Sequence, residues 1–258
     1  MKKYNGWVLV TGASSGIGRE FAIRFAKEGY DVIILARRLD RLTKLAQEIQ
    51  AKFNVKCLIA NVDLGEINFL EKLLTTIGER EVAVLVNNAG FGSTGEFIRC
   101  DSQREINMLK VNCIAPLILT HHFAKKMAEK KNGLIIFVGS VVGYQPTPLM
   151  STYSATKSFN IFLGNALWWE LKKHSVDVLT VNPGGTETEF QRIASSPIGF
   201  KPRKPSDVVN TTFNAIGKKF NVVDGLLNKF QTSLTKLIPR RILINLIGFI
   251  SSWLYKSM

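Results

Sequence analysis

Short apolar runs alternate with longer amphipathic segments along the first two thirds of the chain. The run 31–36 is apolar at nearly every position, as is typical of a strand that is buried on both faces of a sheet. In the segment 39–53 the leucines and isoleucine recur at helical spacing, which predicts an amphipathic helix. The same reasoning predicts strands over 7–11, 31–36, 56–60, 83–86, 134–138 and 176–181, and helices over 16–28, 39–53, 66–77, 106–130 and 151–173.

Strands that alternate with helices in this way predict one parallel sheet covered on both faces. Right-handed crossovers then give a doubly wound, Rossmann-like α/β sheet. Pro116 falls inside the helix predicted over 106–130, and we expect a break or kink near it. A further short strand is expected over 221–225.

A glycine-rich loop, Thr-Gly-Ala-Ser-Ser-Gly-Ile-Gly, joins the first predicted strand to the first predicted helix. Gly12 permits a tight turn, while Gly16 and Gly18 allow the backbone to approach a pyrophosphate and the helix to pack on the strand. The helix N-terminus would supply N–H groups for the phosphates. The spacing Gly-x-x-x-Gly-x-Gly differs from the usual Gly-x-Gly-x-x-Gly. Its strand–loop–helix setting favours nucleotide binding over a plain tight turn.

Two arginines, Arg37 and Arg38, follow the second predicted strand, where dinucleotide folds often place an acidic residue for the ribose of NAD. A guanidinium pairs well with a 2′-phosphate. This pattern favours NADP(H) over NAD(H). The alternative is an ordinary basic surface.

Tyr153 and Lys157 are four residues apart on a predicted helix and therefore share one face. A nearby ammonium lowers the pKa of a phenol, which then exchanges a proton with a carbonyl or alcohol oxygen more readily. Taken alone, Tyr-x-x-x-Lys is weak evidence, because a half-buried tyrosine beside a solvated lysine gives the same pattern. Ser140, at the end of an apolar run, adds a hydroxyl to the pair.

Taken together, these motifs resemble the short-chain dehydrogenase/reductase family. The resemblance runs from residue 7 to about residue 190 and includes Asn-Asn-Ala-Gly at 87–90, Asn112, and Pro-Gly-Gly-Thr-Glu-Thr at 183–188. Each motif is common, but all of them in this order form a specific signal.

The resemblance implies a role for each matched residue. Tyr153 is implied to be the general acid or base, Lys157 to lower its pKa and hold the nicotinamide ribose, Ser140 to orient the substrate oxygen, and Asn112 to hold a proton-relaying water. The residues implied to contact the cofactor, besides Tyr153 and Lys157, are Gly12, Ser14, Ser15, Gly16, Ile17, Gly18, Arg37, Arg38, Asp63, Leu64, Asn88, Ala89, Gly90, Pro183, Gly184, Thr186 and Thr188.

The resemblance and the motifs together predict an NADP(H)-dependent oxidoreductase that acts on a carbonyl or alcohol substrate, hydrophobic or acyl-type. The alternative is a protein that binds NADP(H) as a sensor or scaffold without turnover. We expect a dinucleotide-binding catalytic domain over 1–225 and a basic, apolar helical extension over 226–258. A homo-oligomer is expected from the family.

Composition limits the kinds of binding partner and the cellular location that the sequence predicts. The 258 residues carry a net charge of +14, which favours anionic partners, but no stretch interleaves aromatic and basic residues as nucleic-acid grooves do. The three cysteines, Cys57, Cys100 and Cys113, show no paired spacing, so neither a disulfide framework nor a metal site is predicted. The first apolar run is too short for a signal peptide, and a cytoplasmic location is expected.

The last part of the chain combines apolar and basic residues. Thirteen residues, 242–254, carry no charge and are flanked by Arg240, Arg241 and Lys256. This run is too short to span a bilayer. We favour a helix packed on the protein over peripheral membrane contact, with both alternatives open.

Overall fold

The computed structural model describes residues 3–194, 202–235 and 237–256. Residues 236, 257 and 258 of the predicted extension therefore lie outside the described residues. The strands are β1 (Trp7–Thr11), β2 (Val32–Ala36), β3 (Cys57–Asn61), β4 (Val82–Asn87), β5 (Gly133–Val138), β6 (Val176–Asn182) and β7 (Asn221–Val223). The helices are α1 (Gly16–Lys27), α2 (Leu39–Lys52), α3 (Phe69–Ile77), α4 (Ser102–Leu109), α5 (Ala115–Lys130), α6 (Ser151–Lys172), α7 (Phe190–Ala194), α8 (Pro205–Ala215), α9 (Leu226–Leu234) and α10 (Arg240–Lys256).

Within the described ranges, all seven strands join one parallel sheet in the order β3-β2-β1-β4-β5-β6-β7. Every residue of β2, β4 and β5 is buried, since helices cover both faces. Helices α1, α2 and α8 pack on one face, and α3, α5 and α6 on the other. The predicted doubly wound, Rossmann-like sheet is confirmed.

The order of the strands reverses at the centre of the sheet. The chain runs from β1 outward to β3 and then returns to β4 on the other side of β1. In open α/β sheets this switch point leaves a crevice at the carboxyl ends of the strands, where ligands bind. The glycine loop follows β1, and the segment 88–90 follows β4, so both lie at this crevice.

The predicted element boundaries hold to within one or two residues, with two exceptions. The helix predicted over 66–77 begins only at Phe69. The helix predicted over 106–130 begins earlier, at Ser102, and the break expected near Pro116 is present as a π-helical turn, Lys110–Ile114, between α4 and α5. Pro116 has no N–H to donate to the carbonyl of Asn112, and that carbonyl instead accepts a hydrogen bond from Asn160 Nδ2 at 2.9 Å.

The last two helices lie beside the loops that follow β5 and β6. Asn228 of α9 packs directly against Gly184, where an added Cβ would lie 2.4 Å from its amide nitrogen. Gly248 of α10 faces Pro148, since a Cβ there would lie 3.4 Å from the proline ring. No helix in the described part of the chain has the length and apolar character needed to cross a membrane.

Candidate active site

The glycine loop after β1 adopts the conformation that its glycines permit. Gly12 and Gly16 have φ angles of +68° and +55°, a region that side chains with a Cβ rarely occupy. Gly18 lies against the loop itself, because a Cβ there would be 2.4 Å from both the Gly12 carbonyl oxygen and Asn88 Nδ2. Each glycine is therefore required by backbone geometry or by close approach.

Thr11 ties this loop to the segment that follows β4. Its hydroxyl donates to the Val86 carbonyl at 3.1 Å and accepts from the backbone N–H groups of Asn88 and Ala89, each at 3.0 Å. Asn88 Nδ2 returns a hydrogen bond to the Thr11 carbonyl at 2.9 Å. The two loops at the switch point are thus fixed to each other.

A cavity of about 930 Å³ opens at the carboxyl end of the sheet. Among the residues predicted for the site, Gly18 and Asn112 do not line it: Gly18 packs behind the glycine loop, and Asn112 lies buried behind Gly90. All the others do, namely Gly12, Ser14, Ser15, Gly16, Ile17, Arg37, Arg38, Asp63, Leu64, Asn88, Ala89, Gly90, Ser140, Tyr153, Lys157, Pro183, Gly184, Thr186 and Thr188.

Ser140 and Tyr153 meet where β5 and α6 approach each other. Tyr153 is buried, and a hydrogen bond joins it to Ser140. Ser140 itself is held by the backbone: its hydroxyl donates to the Pro183 carbonyl at 3.3 Å and accepts from the Val142 N–H at 3.4 Å. The ring of Phe190 lies 5.1 Å from the ring of Tyr153 and covers it.

Lys157 and Asn112 form the inner wall behind Tyr153. The Lys157 ammonium is buried, donates to the Val138 carbonyl at 2.8 Å and lies 5.8 Å from the centre of the Tyr153 ring. Gly90 fits between them, since a Cβ there would lie 3.0 Å from Asn112 Oδ1 and 3.7 Å from Lys157 Nζ. The π-helical turn points Asn112 inward, where its amide bonds both backbone groups of Phe91 and the hydroxyl of Thr156.

Burial dominates the ionisation of the tyrosine–lysine pair. It raises the pKa of Tyr153 above the ordinary value of a phenol, and the Ser140 hydrogen bond opposes this rise. It lowers the pKa of Lys157 to about 8. The sequence predicted a lowered pKa for Tyr153, and this prediction is wrong. The loss of hydration on burial raises the pKa by more than the hydrogen bond from Ser140 lowers it.

The two arginines after β2 have different surroundings. Arg37 is 70% exposed and has a loose ion pair with Asp63 at 3.6 Å. Arg38 is bound on several sides: it donates to the hydroxyls of Ser14 and Ser15 at 2.8 Å and to the carboxylate of Glu189 at 2.7 Å. The guanidinium of Arg37 is therefore mostly exposed to solvent, whereas that of Arg38 is part of the hydrogen-bonded structure of the glycine loop.

Among the lining residues that were not predicted from the sequence, three make contacts that shape the site. Glu189 bridges Arg38 and Arg41, and these hydrogen bonds lower the pKa of its carboxyl to about 2. Phe190 covers Tyr153, and Arg104 donates to the Ile193 carbonyl at 2.6 Å across the cavity. No motif marks Arg104 or Phe190. The position of Glu189, directly after the predicted segment 183–188, was the one available signal.

The site has the geometry and the donor groups that suit a nicotinamide dinucleotide. Arg37 and Arg38 follow β2, whereas Ser140 follows β5, and β1 and β4 lie between those strands. Three strand spacings correspond to about 14 Å. The cavity thus has cationic groups at one end, a glycine loop at its centre, and a tyrosine, a lysine and a serine at the other end. This arrangement suits a nicotinamide dinucleotide that lies across the carboxyl ends of the strands.

Comparison with known proteins agrees with this geometry. The family model for short chain dehydrogenases matches residues 6–198. The chain belongs to the short-chain dehydrogenase family. The match covers the sheet through β6, both loops at the switch point, and the segments that carry Ser140, Tyr153 and Lys157.

Three members of known name or structure are similar to this chain over most of its length. A very-long-chain 3-oxoacyl-CoA reductase from Coccidioides immitis is 31% identical over 88% of this chain, and the chain spans 65% of that relative's length. A solved 7β-hydroxysteroid dehydrogenase superimposes with a TM-score of 0.88 at 25% identity, covering 95% of this chain and 98% of the other. A short-chain dehydrogenase from Sphingobium yanoikuyae, solved in complex with NADPH, gives 0.80 at 29% identity, covering 91% and 97%.

Proposed function

We propose that this short-chain dehydrogenase is an NADP(H)-dependent oxidoreductase that interconverts a carbonyl and an alcohol on a hydrophobic or acyl-type substrate. The observation that carries the proposal is the convergence of Ser140, Tyr153 and Lys157 on one end of a cavity whose other end presents Arg37 and Arg38. A protein that only bound a dinucleotide would have no need for a proton-transfer group at the reacting end.

The residues at the reacting end manage one proton. When bound, the nicotinamide supplies or accepts the hydride. Tyr153 gives its phenol proton to the substrate oxygen in reduction and takes it back in oxidation. Its raised pKa keeps the phenol protonated at neutral pH, which is the state that reduction requires. Ser140 turns its hydroxyl proton from the Pro183 carbonyl to the same oxygen as negative charge develops, while its own oxygen still accepts from the Val142 N–H.

Lys157 and Asn112 support Tyr153 from behind. With a pKa of about 8, Lys157 is mostly charged at pH 7, and its ammonium stabilises the phenolate that proton transfer leaves on Tyr153. Asn112 acts as a positioning residue: it ties Phe91 to Thr156, and Thr156 in turn donates to the Tyr153 carbonyl at 2.8 Å. The first turn of α6 is thereby held against the cavity.

The lining near Tyr153 supports a hydrophobic substrate. Apolar side chains dominate this part of the cavity, including Phe91, Val142, Met150, Phe190 and Ile193. The names of two relatives, a very-long-chain 3-oxoacyl-CoA reductase and a 7β-hydroxysteroid dehydrogenase, both describe bulky, largely apolar molecules. The net charge of +14 would also favour an acyl group carried on an anionic thioester.

The test is a substrate assay with purified protein. NADPH oxidation is followed with a long-chain 3-oxoacyl thioester and with a 7-keto steroid, for wild type and Tyr153→Phe. We expect turnover of at least one of them, reduced by about 10²- to 10⁴-fold in the variant because general acid catalysis contributes this much. NADPH affinity should change less than twofold.

A matched tyrosine provides the control. Tyr144 donates its hydroxyl to Asn221 at 2.7 Å and does not line the cavity, so Tyr144→Phe should retain turnover. Turnover that survives Tyr153→Phe unchanged would refute the mechanism. Tight NADPH binding with no turnover of any ketone would favour a sensor or scaffold instead.

A further inference from the structure

The helices α9 and α10 expose a large apolar surface. On α10, the side chains of Ile242, Leu246, Phe249, Ile250 and Trp253 are exposed and recur at helical spacing, so they form one stripe. On α9, a second stripe consists of Leu226, Leu227, Phe230 and Leu234, and Leu237 lies between the two helices. We name these ten residues the C-terminal apolar surface.

The packing of α10 does not explain this surface. Leu243 is buried, and Ile244 and Ile247 are half-buried, so the helix already has an inward face that packs on the protein. The exposed stripe lies beside that face: Phe249 is 75% exposed and Trp253 is 66% exposed. Contiguous apolar surfaces of this kind mark binding sites on soluble proteins.

The charges in this part of the sequence indicate the kind of partner that this surface would accept. After Asp224 the sequence contains no acidic residue, whereas it contains Lys229, Lys236, Arg240, Arg241 and Lys256. If two copies of the chain met through this surface about a two-fold axis, each copy would bring its cations towards those of the other. An anionic lipid headgroup layer instead neutralises the cations, while its acyl boundary accepts the apolar stripe.

We propose that α9 and α10 dock this protein onto the surface of an anionic bilayer, with α10 lying in the plane of the interface. The 17 residues of α10 extend over about 26 Å, with an apolar stripe on one side and Arg241, Asn245 and Ser252 on another. This division suits a helix that lies along an interface. The two helices touch Gly184 and Pro148, so the docked surface adjoins the loops at the cavity.

Vesicle co-sedimentation of the full chain tests the proposal. The probes are phosphatidylcholine vesicles with and without 25% phosphatidylglycerol. We expect wild type to bind the anionic vesicles at least tenfold more tightly than the neutral ones. The double variant Phe249→Gln/Trp253→Gln should lose at least tenfold in affinity for the anionic vesicles. Phe162→Gln, which changes an equally exposed phenylalanine (74%) on α6, should retain wild-type affinity.

Two double variants that each remove two positive charges separate the effect of cations near the proposed docking surface from the effect of the net charge. Arg240→Gln/Arg241→Gln should weaken binding to anionic vesicles about tenfold, and Lys218→Gln/Lys219→Gln, which removes two exposed cations elsewhere, should weaken it less than threefold. Failure of wild type to bind anionic vesicles overturns the proposal. So does equal binding by all variants. A dimer in lipid-free solution that Phe249→Gln/Trp253→Gln converts to monomer would identify a second copy as the occupant and would also overturn it.

Discussion

The Glu189 carboxylate accepts a hydrogen bond from Arg38 at 2.7 Å, although 151 positions separate them along the chain. Glu189 belongs to the segment that follows β6, and Arg38 directly precedes α2. The ion pair therefore joins the two sides of the cavity mouth. Since a guanidinium that holds a carboxylate also suits a phosphate, the pair places an internal anion where the 2′-phosphate of NADP(H) is expected to bind.

Glu189→Gln should bind NADPH about fivefold more tightly, with NADH affinity changed less than twofold. Removal of the carboxylate frees Arg38 and Arg41, and partly exposed ion pairs of this kind are worth up to about 1 kcal/mol, where 1.4 kcal/mol corresponds to tenfold in affinity. Fluorescence titration with both cofactors measures the change.

The matched control is Glu187→Gln in the same segment. Glu187 is exposed, and its substitution removes the same charge without freeing an arginine. If both variants tighten NADPH binding equally, the effect is a general reduction of negative charge, and competition for Arg38 is excluded.

Arg37 and Arg38 should differ in how their loss affects the two cofactors. Arg37→Ala should weaken NADPH about tenfold and NADH less than twofold, because its exposed guanidinium contacts the protein only loosely, through Asp63 at 3.6 Å. Arg38→Ala should weaken both cofactors, because Arg38 also holds the hydroxyls of Ser14 and Ser15 in the glycine loop. Calorimetric titration of both variants with both cofactors measures the difference.

A different result would reassign the cofactor. If Arg37→Ala leaves the preference for NADPH over NADH unchanged, Arg37 is an ordinary surface arginine and the preference arises elsewhere. If wild type binds NADH more tightly than NADPH, the inference from both arginines fails.

Much of the fold and site could be predicted from the sequence, because the signals are local. The apolar run of β2 and the helical spacing in α2 each depend on a few neighbouring residues, and the glycine loop needs its glycines for backbone geometry. The motif residues then meet because the carboxyl ends of parallel strands share one edge of the sheet.

The features that were not predicted depend on contacts between residues that are far apart in the sequence. The π-helical turn at Lys110–Ile114 is stabilised by bonds from Asn112 to Phe91 and Thr156, which lie on other parts of the chain. The ion pair between Glu189 and Arg38 has the same character. The direction of the pKa shift of Tyr153 also follows from tertiary structure, because the spacing of Tyr153 and Lys157 says nothing about how completely α6 is buried.

The buried ammonium of Lys157 should make the free energy of unfolding depend on pH. Burial lowers the pKa of its ammonium from 10.5 to about 8. Below pH 8 both the folded and the unfolded chain hold the proton, and folding bears the full cost of burying a charge. Between pH 8 and 10.5 the unfolded chain binds more protons, so this cost fades and the contribution of Lys157 to stability rises with pH.

Lys157→Met should therefore have a larger free energy of unfolding, relative to wild type, at pH 7 than at pH 10. The free energy of unfolding of the variant minus that of wild type should fall by about 2.5 kcal/mol over this range, since nearly two pKa units are crossed and each corresponds to about 1.36 kcal/mol. Urea unfolding at pH 7, 8, 9 and 10 measures it, and the comparison at each pH cancels the titration of the cysteines and other tyrosines.

Lys173→Met serves as the control, because Lys173 is exposed at the end of the same helix and its replacement removes an ammonium that is not buried. A gap between Lys157→Met and wild type that stays constant from pH 7 to 10 would show that the ammonium is well compensated in the fold. Its hydrogen bond to the Val138 carbonyl would then offset the loss of hydration, and Lys157 would hold a full charge behind Tyr153 throughout the neutral range.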